Sequence, residues 1–262
     1  MQGKKTALIT GASSGIGYEL TQLFARDGYD LVLVARSERQ LVQMAEELKA
    51  AYGTEVKVMM KDLSVSTAPR EIFAELEQEN IEIEALVNNA GFATFGLFAE
   101  LDLDTELQMM QVNMMTLTHL TRLLLPAMLK RRSGKILNIA STASFQPGPL
   151  MTVYYATKAY VLSFSEGLAN ELEGSGVGVT ALCPGPTASG FQKRAKMEDS
   201  KLVQGGLMDA KTVASIGYRA LMKNKVVVIP GLRNLLLVEV ERFTPRAVVR
   251  RIVRGMQERV HR

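Results

Sequence analysis

The chain opens on a five-residue apolar run, Thr6 to Thr10, that breaks into Gly11-Ala12-Ser13-Ser14-Gly15-Ile16-Gly17 and passes at once into a helical pattern. This strand–glycine turn–helix unit narrows the choice of fold more than any other feature. Glycines at these offsets let the backbone turn tightly and approach a bound group closely, and the helix N-terminus behind them favours negative charge. The alternation then continues. Residues 30–35, 55–60, 85–88, 135–140, 177–183 and 225–229 read as further strands, several of them apolar without a break, as parallel strands covered on both faces should be. Helical patterns occupy 15–27, 38–52, 69–79, 104–131, 152–173 and 210–222.

Seven strands separated by helices predict a Rossmann-type α/β fold: a doubly wound, seven-stranded parallel sheet with helices on both faces, in one domain over residues 1–262. With 262 residues, 47% of them hydrophobic, the chain can bury a large core. The lone cysteine, Cys183, excludes an internal disulfide and a cysteine-based zinc cluster, and two histidines leave little for a metal site. No window approaches 18 apolar residues and the N-terminus lacks secretory features, so a cytoplasmic protein is expected. The net charge is +4, but residues 242–262 alone hold seven arginines against Glu258. That is a basic tail on a slightly acidic body, and it gives no reason to expect nucleic acid.

Strand two ends in Val34-Ala35-Arg36-Ser37, with no acid to accept hydrogen bonds from the adenine ribose. Arg36 instead offers a planar guanidinium suited to a 2′-phosphate, with Ser13 and Ser14 as neutral donors, which favours NADP(H). Asp62-Leu63 after strand three and Asn89-Ala90-Gly91 after strand four lie at carboxyl ends of strands, the edge where open α/β sheets bind ligands. A helix cap and a plain turn are the alternative readings of those two stretches.

Strand five runs into Ser141, and thirteen residues later comes Tyr154-Tyr155-Ala156-Thr157-Lys158 at the start of a helix. Tyr154 and Lys158, four apart, share a helical face. A free phenol ionises near about pH 10 and needs an adjacent cation to act as an acid–base group at neutral pH. Such a pair makes a general acid for carbonyl reduction, with Ser141 as donor to the substrate oxygen.

With these residues in place the chain resembles the short-chain dehydrogenase/reductase family, in its shorter single-domain branch, and a bacterial subgroup of general oxidoreductases similar to 3-ketoacyl and 17β-hydroxysteroid reductases. The resemblance rests on residues 10–17, Asp62, 88–91, Asn113, Ser141, Tyr154, Lys158 and Pro184-Gly185 in family order and spacing. It implies hydride transfer at a nicotinamide, with Tyr154 as proton donor or acceptor and Ser141 orienting the carbonyl. Lys158 would lower the tyrosine pKa and hold the nicotinamide ribose, and Asn113 would position a water in a proton relay. Pro184, Gly185 and Thr187 would lie beside the nicotinamide. A homodimer or homotetramer through residues 104–131 and 152–173 is also implied.

The irregular stretch 186–209 is expected to be a substrate lid. Phe92, Phe95, Phe98, Phe145, Met151 and Phe191 are expected to flank an apolar substrate mouth, with Phe145 and Phe191 in contact with substrate. Lys130-Arg131-Arg132 suits either an acidic carrier or a solvated helix end. Residues 243–262 form a basic amphipathic helix, with Val248, Val249, Ile252, Val253, Met256 and Val260 on one face. Packing of that face on the domain or a second subunit is preferred over peripheral contact with a membrane. The reading is thus an NADP(H)-dependent oxidoreductase for a small carbonyl/alcohol pair. The alternatives are a catalytically silent NADP(H)-binding regulator and a 3-oxoacyl-type reductase attached peripherally to a membrane.

Overall fold

The computed structural model describes residues 4–204 and 206–259. Its elements follow the order β1 (Thr6–Thr10), α1 (Gly15–Arg26), β2 (Asp30–Ala35), α2 (Glu38–Tyr52), β3 (Val56–Met60), α3 (Ala68–Gln78), β4 (Ile83–Asn88), α4 (Leu103–Met110), α5 (Leu117–Arg131) and β5 (Gly134–Ile139). Then come α6 (Thr152–Glu171), β6 (Val177–Leu182), α7 (Phe191–Arg194), α8 (Lys201–Gln204), α9 (Ala210–Met222), β7 (Val227–Val228), α10 (Leu232–Glu241) and α11 (Arg246–Gln257). All seven strands are parallel and lie in the order β3-β2-β1-β4-β5-β6-β7. The order reverses between β1 and β4, which opens a crevice at their carboxyl ends.

The unbroken apolar runs follow from burial on two faces. Ala7 and Ile9 of β1 join Leu31 and Leu33 of β2 against Leu20, Phe24, Leu41 and Val213 of α1, α2 and α9. Leu8, Val32 and Val34 point the other way, onto Ile72, Leu76, Leu120 and Leu124 of α3 and α5. Each such side chain contributes about 1.5–3 kcal/mol by leaving water. Helix starts are fixed by side-chain caps where the chain supplies them: Asp102 accepts from the Thr105 amide at 2.8 Å, and Asp209 from the Thr212 amide at 2.9 Å.

Four departures from the sequence reading matter for the site. The single helix expected over 104–131 is interrupted by a π-helical turn, Gln111–Thr116, which carries Asn113. Within 186–209, α7 and α8 form, and Thr187 bridges to Met208; Gly205 lies outside the described residues. Helix α10 was not anticipated at all. On α11 only Val249, Val253 and Gln257 are buried, whereas Val248, Ile252 and Met256, expected to pack, face solvent; Val260 and Arg262 lie outside the described residues. The basic trio closes α5 at the far end of the sheet: Arg131 donates to the carbonyl of Ile83 at the start of β4, and Arg132 to that of Gly174.

Candidate active site

The carboxyl ends of the central strands open into one cavity of about 1040 Å³. At its nucleotide end the β1–α1 turn is held by its neighbour strand. Thr10 Oγ1 accepts from the amides of Asn89 and Ala90, each at 3.0 Å, while Asn89 Nδ2 donates to the carbonyls of Thr10 and Gly11 at 2.9 and 3.0 Å. Gly11 has φ +64°, a conformation that L side chains rarely adopt, and a Cβ on Gly17 would stand 2.3 Å from the Gly11 carbonyl oxygen. The turn is therefore a tight cradle with its amides free of side chains. Gly11, Ser13, Ser14, Gly15 and Ile16 line the cavity, and the lid reaches back to them at Ser189, which approaches Gly15. Gly17 is buried behind the turn and does not line it.

Arg36 stands exposed on the same wall, with Asp62 and Leu63 from the end of β3. Asp62 is held ionised below the usual carboxylate range, first by the Ser64 amide and also by the Ser64 hydroxyl and the Arg36 charge. Lys61 lines this end too, a residue the sequence reading passed over, but its ammonium is engaged by Glu71 and Glu75 at 3.1 and 2.7 Å. Asn89, Ala90, Gly91, Pro184, Gly185 and Thr187 complete the wall. The open glycine cradle, the helix N-terminus and the strand-end polar groups fit a dinucleotide.

At the centre Ser141, Tyr154 and Lys158 all border the cavity. Ser141 Oγ donates to the Pro184 carbonyl at 3.4 Å and accepts from the Ala143 amide at 3.1 Å, and the Lys158 ammonium lies 5.8 Å from the centre of the Tyr154 ring. Lys158 Nζ donates to the carbonyl of Ile139 at 2.7 Å. Burial sets the charge states here. It holds the Tyr154 hydroxyl well above an ordinary phenol, against the lowering by Ser141, and it brings Lys158 down to about 8. The sequence predicts lowering of the tyrosine by Lys158; in the protein desolvation is the effect that sets its pKa. Tyr154 is thus a protonated donor at neutral pH. The adjacent Tyr155 is engaged elsewhere: its hydroxyl accepts from Gln257 Nε2 at 2.7 Å.

Asn113 does not border the cavity. Its Nδ2 donates to the Phe92 carbonyl and to Thr157 Oγ1, both at 3.1 Å, and its Oδ1 accepts from the Phe92 amide at 3.2 Å. The π-helical turn thereby ties the segment after β4 to the part of α6 that carries Tyr154, Thr157 and Lys158.

The other half of the cavity is apolar. Phe92, Phe95, Met151 and Phe191 line it as expected. Phe98 is exposed outside it. Phe145 is a correction: the 3-10 turn Thr142–Phe145 swings its ring onto Leu117, Val161 and Leu162, away from substrate space. Much of the wall comes from elements not assigned to the site in advance. Leu237, Val238, Val240 and Glu241 of α10 contribute, as do Val249, Ile252, Val253 and Met256 of α11. Val249 and Val253 pack with Tyr154, Ala195 and Met197, so the last helix also supports the 186–209 segment.

Comparison with known proteins agrees with this geometry. A family profile described as short chain dehydrogenase matches residues 5–200. A very-long-chain 3-oxoacyl-CoA reductase of Anas platyrhynchos is 37% identical over 196 residues, covering 72% of this chain but less than two thirds (62%) of that reductase. A short-chain dehydrogenase from Sphingobium yanoikuyae in complex with NADPH aligns with TM-score 0.82 at 33% identity, over 91% of this chain and 94% of that one. One from Burkholderia phymatum in complex with NAD gives TM-score 0.81 at 28% identity, over 92% and 93%. Among the described residues no helix is long and apolar enough to cross a membrane. With the profile matched over residues 5–200, the chain belongs to the short-chain dehydrogenase family.

Proposed function

We propose that this protein is an NADP(H)-dependent reductase of apolar ketones or aldehydes. The observation that carries the reading is the position of Tyr154: it borders the cavity together with Ser141 and Lys158, packs against Phe191, and stands where the nucleotide wall meets the apolar wall. When bound, NADP(H) supplies or accepts the hydride. Ser141 holds the substrate oxygen, and Tyr154 gives that oxygen a proton from a hydroxyl that burial keeps protonated. Lys158 places its ammonium beneath the phenol ring and beside Gly91, where a ribose would lie. Asn113 is a positioning residue, fixing Phe92 and Thr157 on either side.

The preference for NADP(H) rests on Arg36 and the serines near it, with no acid at the end of β2. An apolar carbonyl suits walls built from Phe92, Phe95, Phe191, Val249 and Ile252. The relative named for very-long-chain 3-oxoacyl-CoA supports a lipophilic substrate class. A homodimer or homotetramer through α4, α5 and α6 accords with Leu103, Leu107 and Met115, which stand exposed on or beside those helices.

The test compares Tyr154→Phe with Tyr155→Phe in NADPH oxidation with a panel of ketones. Loss of a general acid lowers kcat by roughly 10²–10⁴-fold in the first variant. In the second, which loses one hydrogen bond to Gln257, turnover stays within several-fold. The reverse pattern would displace Tyr154 from the chemistry, and wild-type NADPH binding without turnover of any ketone would favour a regulator.

A further inference from the structure

The last two helices present an apolar surface that no described residue covers. On α10, Leu232, Leu236 and Val240 are four residues apart and share one face, continued by Phe243 just beyond the helix. All four stand in solvent, Leu232 at 73% and Phe243 at 88% exposure. The opposite face of α10 is the packed one, with Val238 buried and Asn234 against Gly185. On α11, Val248, Ile252 and Met256 form a solvent-facing row beside the buried row of Val249, Val253 and Gln257. The remaining side carries Arg250, Arg251 and Arg254, all exposed and, among the described residues, in no salt bridge. The acid nearest the α10 stripe, Glu239, is neutralised by Arg242 at 3.1 Å.

This surface is also the rim of the cavity. Leu237 and Val240 of α10 and Ile252 and Met256 of α11 both line the cavity and face water. We propose that the α10–α11 face docks on an anionic phospholipid membrane surface, so that the cavity mouth opens against the lipid. The charge pattern selects this occupant. A two-fold symmetric contact centred on this face would bring two copies of the same basic patch together, with Arg250, Arg251 and Arg254 of each crowded into one interface. An anionic bilayer accepts both features together, the leucine and phenylalanine side chains at the acyl boundary and the guanidinium groups among the headgroups. Docking stands on the surface alone; only what enters the mouth rests on the reductase reading.

The experiment is flotation of the full-length protein with phosphatidylcholine vesicles, with and without phosphatidylglycerol, at low and high salt. The protein floats with the anionic vesicles and largely stays behind with the neutral ones, and high salt releases part of it. Leu236→Glu/Phe243→Glu and, separately, Arg250→Gln/Arg251→Gln each lower vesicle affinity by about tenfold or more, with thermal melting and NADPH oxidation of a water-soluble ketone unchanged. Wild-type protein left behind by anionic vesicles overturns the proposal. So does conversion of a dimer to monomers by Phe243→Glu in sedimentation, which would give the face to a second copy. Failure to oxidise NADPH while flotation persists counts against the reductase reading and leaves docking standing.

Discussion

Arg36 shows how much one side chain at a strand end can decide. It stands exposed on the cavity wall where NAD-selective relatives of this fold place an acid, and its charge helps hold Asp62 ionised. A guanidinium there gives charge-assisted hydrogen bonds to a 2′-phosphate, each about 1.5–3 kcal/mol, and nothing comparable to a 2′-hydroxyl. Arg36→Ala should therefore raise the Kd for NADPH by about tenfold or more, with little change for NADH. Fluorescence titration of both coenzymes checks this, and equal losses would contradict it. The same scale shows which side chains could be read from the sequence. Tyr154 and Lys158 share a face by helical spacing, but that pattern is common; their place after Ser141 and the family resemblance single them out, and only the resemblance separates Tyr154 from Tyr155. Phe145 has no such signal: only the turn after Ser141 decides that its ring goes to Val161 rather than to substrate. Nor could Gln257 be paired with Tyr155, 102 residues away, from any local pattern.

At the scale of elements, β1 to β6 and their helices were legible because period and composition agree: apolar runs where two faces are buried, amphipathic stretches where one is. What escaped were elements defined by tertiary contact. Helix α10 leaves all four of its leucines exposed and buries only Val238, so its apolar residues do not trace a core-facing stripe. The π-helical turn differs from an α-helix by one inserted residue and leaves no mark in hydrophobic spacing. The glycine turn is the element with the least tolerance. A methyl group at position 17 would meet the Gly11 carbonyl oxygen at 2.3 Å and Asn89 Nδ2 at 2.4 Å. Gly17→Ala must push apart β1 and β4 at the crevice. Overpacking of this kind costs about 1–3 kcal/mol, and the displaced amides lose the dinucleotide as well. The expected result is a lower Tm together with NADPH affinity reduced more than stability alone explains. Unchanged affinity would mean that the cradle does not hold the phosphates.

Across the whole molecule, the C-terminal helices add an apolar wall to an ordinary nucleotide fold, and they bring one carboxyl with them. Glu241, at the end of α10, is half-buried on the cavity wall and its pKa is raised to about 7, by burial first, with Arg246 only partly offsetting. Burial also pushes Tyr155 up to about 12, Gln257 working against it and the Glu241 charge adding to it. An unfolded glutamate ionises near about 4.3, so between that value and the folded one the unfolded chain has already released a proton that the native wall retains. The carboxyl is thus tolerated while protonated, and native stability is lost as pH rises through the folded value. Glu241→Gln removes the ionisation and keeps the shape. Its melting temperature should differ little from wild type at about pH 4, below the unfolded value, and the advantage of the variant should grow up to about pH 8. A difference that does not change with pH would place Glu241 in water, and would separate α10 from the wall that it is argued to complete.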